Sequence, residues 1–279
     1  MTQEPRYGQL GPVPPQPPVP LGAAGGGAPT PVRRPVRWSP SPVFLGIVAV
    51  AIASGWALWN GIADRGVMAF LFVASSWVVT LCLHEFAHAF VAYRNGDLSV
   101  EHRGYLTLNP LRYTHVLLSI VLPLFFLLIG GIGLPGGAVF IDRSALRTRF
   151  AHTAVSAAGP LTNVVVAIVL ATAIFVGDNG NNFWAAMAFL MFLQVTASIL
   201  NLLPIPGLDG YGIIEPYLPR SWAGRAATIA PYVFYGFLLL LWIPALNQLF
   251  FGAIFGIIRL LGVAPILVQT GQNLFQFWM

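Results

Sequence analysis

Long apolar runs are the feature that most narrows what this chain can become, and one of them, at about 67 to 93, encloses His84-Glu85-Phe86-Ala87-His88. No water reaches backbone N–H and C=O groups at hydrocarbon depth, so each run must satisfy its own hydrogen bonds as a helix. Two helical histidines four residues apart differ by about 40° in azimuth and stand one turn apart on one face. That spacing suits a single zinc ion, with Glu85 beside it as general base for an activated water. A glutamate at such depth is costly unless it is functional or paired.

With 57% hydrophobic and 8% charged residues and a mean hydropathy of +0.75, the chain lies far from the soluble average of about 25% charged. The expected fold class is an all-α polytopic membrane protein with about six transmembrane helices and a membrane-associated hairpin, re-entrant or extended. All 14 basic residues are arginine, gathered in short clusters. This placement reads as topology and not as a nucleic-acid surface. The single cysteine, Cys82, excludes an intrachain disulfide and a Cys-rich zinc site. It lies about 200° around the helix from His84 and reads as a buried apolar thiol.

Residues 1–41 are rich in proline and glycine and lack apolar periodicity, which predicts a disordered cytoplasmic tail; residues 42–279 form the membrane domain. Arg33, Arg34 and Arg37 precede the first run, at about 43 to 60, and hold its start inside. The second run then travels inward, so His84 to His88 lie toward its cytoplasmic end. Residues 116–141, interrupted by Pro123 and by glycines from 130 to 137, have arginines on both sides and read as the hairpin. Irregular backbone is tolerable there only where protein or a water-filled cavity satisfies it, so the segment is expected to line a site. Spans at about 151 to 176 and 183 to 203 follow, then one at 228 to 247, then an apolar C-terminal segment carrying Arg259 that is either a further span or an interfacial helix.

Of nine acidic residues, Glu4, Asp64, Asp97, Glu101, Asp142 and Asp178 fall in the tail or in polar turns where solvation explains them. Glu85 and Asp209 stand in apolar surroundings. Asp209 ends Pro204-Ile205-Pro206-Gly207-Leu208-Asp209, where prolines and glycine must break the helix and can turn a carboxylate back toward a pocket. Catalytic zinc takes three protein ligands, and His84, His88 and Asp209 complete that set. A different zinc-protease architecture would instead use a later glutamate, of which Glu215 is the sole example. A metal-handling transporter using the same groups for transit is the alternative from another class.

The combination of H-E-x-x-H on one span and N-x-x-P-x-x-x-L-D-G on a later one, Asn201 to Gly210, resembles the site-2 protease family of intramembrane zinc metalloproteases. Gly104-Tyr105-Leu106-Thr107-Leu108-Asn109-Pro110, followed by His115, is similar to that family's G-x-x-T-L-N-P segment. Gly159-Pro160-Leu161-Thr162-Asn163 resembles its G-P-x-x-N motif. The resemblance covers about residues 67–215, in a compact bacterial form with no room for a PDZ or CBS domain; Pro206-Gly207 stands where Pro-Pro is commoner.

It implies one Zn2+ per chain held by His84, His88 and Asp209, with Glu85 catalytic. Asn163, Gly159 and Asn201 would contact substrate or the oxyanion, and Asn109 and His115 are further candidates. The implied activity is regulated intramembrane proteolysis of a single-span membrane protein within the bilayer. The implied location is a bacterial plasma membrane, with the N-terminus and the active site toward the cytoplasm and no nucleic-acid partner.

Overall fold

The computed structural model describes residues 39–113, 125 and 139–279; the tail and most of the expected hairpin, His115 included, lie outside them. The described residues are helical with no strand, an all-α membrane architecture. Four helices are long and apolar enough to cross a bilayer: α1 (Pro42–Asn60), α2 (Arg65–Arg94), α4 (Arg149–Gly177) and α5 (Asn182–Leu202). Between α2 and α4 lies the short α3 (Ser99–His102). After α5 come α6 (Asp209–Ile214), α7 (Arg220–Leu240), α8 (Pro244–Leu260) and α9 (Pro265–Phe275). The last two meet at 113° and together make up to a fifth crossing.

Helix boundaries follow from local chemistry. Ser41 accepts the Phe44 N–H and Asp64 that of Val67, capping α1 and α2. Gly61, at φ 66°, closes α1 in the left-handed conformation that glycine adopts without strain. Thr148 caps α4 through the Ala151 N–H. The span expected at 228–247 is instead α7, which stops at Leu240: Pro244 forces Ile243 into an extended conformation (ψ 119°) and starts a new helix.

α5 is the central post of the bundle, packed against α2, α4 and α9. The C-terminal α9 is therefore part of the core, with Val268, Gly271 and Phe275 buried. Gly271 permits the approach, since a Cβ there would collide with the Ala185 carbonyl and come within 2.9 Å of Phe189 Cβ. Phe275 then packs against Phe189, with ring centroids 5.4 Å apart, and Phe70 of α2, at 5.3 Å. Trp184, near the start of α5, is buried edge-to-face against Trp59 at 5.6 Å.

Ile52 of α1 and Val165, Val169, Phe175 and Val176 of α4 are exposed, apolar surface of the kind that suits lipid. The molecule is an integral membrane protein. Gly271→Leu should separate α9 from α5 and cost about 1 to 3 kcal/mol, or loosen the fold outright. Thermal unfolding of detergent-solubilised protein measures it.

Candidate metal centre

α2 delivers His84, Glu85 and His88 into the interior, each no more than 6% exposed. The Nε2 atoms of His84 and His88 are 3.1 Å apart, and each is 3.3 Å from Asp209 Oδ2. Ligands at about 2.0 Å from a tetrahedral zinc stand about 3.3 Å from one another. The cluster therefore has the spacing of a three-ligand zinc site, and its N, N, O donor set suits that ion.

The surrounding chain orients each ligand. His88 Nδ1 lies 2.6 Å from the Val155 carbonyl oxygen, which only accepts, so Nδ1 carries the proton and Nε2 presents its lone pair to the cluster. Glu85 Oε2 accepts the Val139 N–H at 3.0 Å. Val139 belongs to the end of the segment that the sequence places against the site. Asp209 opens α6 after a turn in which Gly207 has φ 97°. Proline, fixed near −65°, cannot occupy that position, so Gly207 in place of the commoner proline is what this turn demands.

Gly210 lies against the Leu202 and Leu203 carbonyls and Gly212 against Ser156, so α6 is pressed onto α4 and the end of α5. Gly159 has a geometric part beside any contact with substrate. A Cβ on it would overlap Nε2 of both His84 and His88, so its absence is what gives the two imidazoles room beside α4.

The remaining candidates separate. Asn163 is buried one turn beyond Gly159 on the same face of α4, and Asn201 is buried at the end of α5. Asn109 accepts the Leu111 N–H and caps the turn Pro110–Arg112. Glu215 forms an ion pair with Arg143, whereas Asp209 meets the histidines. Asp97, expected to be solvated, is 1% exposed. Its carboxylate is satisfied by the backbone N–H of Ser99 (2.9 Å) and of Asp142 (2.8 Å), which ties α3 to the segment that reaches Glu85. Asp142 in turn accepts the Ser144 hydroxyl and N–H, which hold its carboxyl below the usual range.

No family model matches the chain, and no solved structure matches it. Two relatives, from Mycolicibacterium smegmatis and Mycobacterium tuberculosis, are both named "Putative zinc metalloprotease Rip2". They are 47% and 45% identical, covering 89% and 88% of this chain and 97% and 96% of their own lengths. The chain belongs to the site-2 protease-like family of zinc metalloproteases. A Bacillus subtilis relative with the same style of name, YwhC, is 31% identical over 60% of this chain and 78% of its own.

The similarity to the Rip2 proteins thus extends well past residues 67–215 into the flanking helices. Membership makes zinc the cofactor, and His84, His88 and Asp209 form the group that fits it. Gly159→Ala should leave the protein folded yet displace the imidazoles, lowering zinc affinity about 10- to 100-fold. Competition with a chromogenic chelator reads that change directly.

Proposed function

We propose that this chain is an intramembrane protease that cleaves transmembrane segments of single-span membrane proteins, in regulated intramembrane proteolysis. One observation carries the reading: His84, Glu85 and His88 are buried on an apolar, membrane-length helix. A transmembrane helix as substrate already lies at the depth of such a helix, which supports this reading over a soluble substrate. The arginine distribution supports a site on the cytoplasmic side of a bacterial plasma membrane, with the tail on the same side.

His84, His88 and Asp209 would hold zinc, which when bound supplies Lewis acidity to polarise a carbonyl and acidify water. Glu85 is the proton carrier. With Oε2 fixed by the Val139 N–H, its other oxygen is available to take a proton from the attacking water and return it to the leaving amine. His88 is held in one tautomer by Val155, and so keeps its ring orientation through the cycle. Asn163, on the Gly159 face of α4, is assigned to the substrate backbone or the developing oxyanion. The substrate must unwind locally to expose a peptide bond, so helix-breaking residues in it favour cleavage.

Glu85→Gln keeps the ligands and removes the base, and should lower cleavage at least about 100-fold with zinc content unchanged. Mass spectrometry of membrane fragments from cells with the wild type and with this variant would reveal the substrate and the cut together. Retained cleavage by the variant would sink the mechanism.

A further inference from the structure

A cleft of about 320 Å³ opens beside Asp209, between the 206–212 turn, Arg143 and Ser156, and α7. Water reaches the ligand cluster from this side: the Asp209 side chain is 25% exposed, against 6% and 7% for His84 and His88. Most of its polar lining is committed, since Arg143 and Glu215 pair with each other. Tyr211 is not. It lines the same cleft two residues after Asp209, yet its hydroxyl is buried and finds no hydrogen-bond partner among the described residues. A buried hydroxyl left unmatched is uncommon and calls for an acceptor.

Its position is fixed relative to Asp209, because the flanking Gly210 and Gly212 press α6 onto neighbouring backbone and side chains. The far wall is narrow and apolar. Ala226 and Ala230 stand four residues apart on one face of α7, and a Cβ on Gly207 would lie 3.4 Å from Ala230 Cβ.

Resting on the protease reading above, we propose that this cleft is the subsite for the peptide on one side of the scissile bond. Tyr211 donates its hydrogen bond to a substrate carbonyl, and Ala226 and Ala230 set the width. An extended peptide leaving the metal cluster finds in this order a carboxylate ligand, a fixed hydroxyl donor and a slot without bulky side chains. The Arg143–Glu215 pair closes the far end and keeps the slot neutral.

The test compares two hydroxamates on the full-length zinc-loaded protein in detergent, by calorimetric binding. Acetohydroxamate reaches only the metal cluster; a tri-alanyl hydroxamate extends into the cleft. Tyr211→Phe removes the donor, and Ala230→Phe fills the slot. Each should weaken the tri-alanyl probe about tenfold while acetohydroxamate affinity and zinc content stay within twofold of the wild type.

Undiminished tri-alanyl binding in both variants overturns the proposal, and so does an equal loss for both probes, which would place the damage at the ligand cluster. A wild-type protein that holds no zinc and binds neither probe marks failure of the protease reading itself and removes the basis of the subsite with it.

Discussion

Everything in this molecule is arranged around the cost of keeping two imidazoles and two carboxylates at the interior of a membrane bundle. Ions and polar groups in that setting persist only when each finds a partner. His84 and His88 find Asp209, His88 also finds the Val155 carbonyl, and Glu85 finds the Val139 N–H. These partners come from three separate stretches of chain, none of them α2 itself. The bundle must therefore converge at one point with sub-ångström tolerance, and the helix contacts follow from that demand.

The convergence is built from small residues as much as from polar ones. Gly159 makes room for the imidazoles, Gly210 and Gly212 let α6 lie against the main chain of α5 and on α4, and Gly271 lets α9 brace α5 from behind. In lipid, where apolar surface gains little by leaving the acyl chains, close backbone approach of this kind is the principal means of fastening helices. Buried side-chain bonds add to it, such as that from Gln194 of α5 to Thr80 of α2, one turn before His84.

The grouping of His84, His88 and Asp209 was legible in the sequence because its chemistry is local. Helical periodicity places His84 beside His88, and the Pro-Gly-rich break before Asp209 announces a carboxylate turned back from a helix end. The all-α membrane class was legible in the length of the apolar runs. What could not be read was long-range: that Val139 would serve Glu85, that Asp97 would be buried by the turn at Asp142, or that α9 would enter the core. The first two have no periodic signature, since a backbone N–H is the same for every residue except proline; Val268, Gly271 and Phe275 share one face of α9 by helical spacing, but spacing does not say which helix that face meets. Gly159 was singled out through a motif, yet its steric part depends on an interhelical distance that no motif encodes. The stop of α7 before Pro244 was within reach of the rule for residues preceding proline, but continuous hydrophobicity obscured it.

The hydrogen bond from His88 to the Val155 carbonyl joins a ligand on one transmembrane helix to the main chain of the next. Sliding or rotating α4 against α2 would pull that carbonyl away and free the ring to turn, so metal retention and helix alignment form one equilibrium. Zinc held by His84, His88 and Asp209 would pin α2 to α6, which Gly212 lays against Ser156 of α4. Conversely, parting α2 from α6 would have to break a zinc ligand, whereas parting α2 from α4 would cost the hydrogen bond between His88 and the Val155 carbonyl.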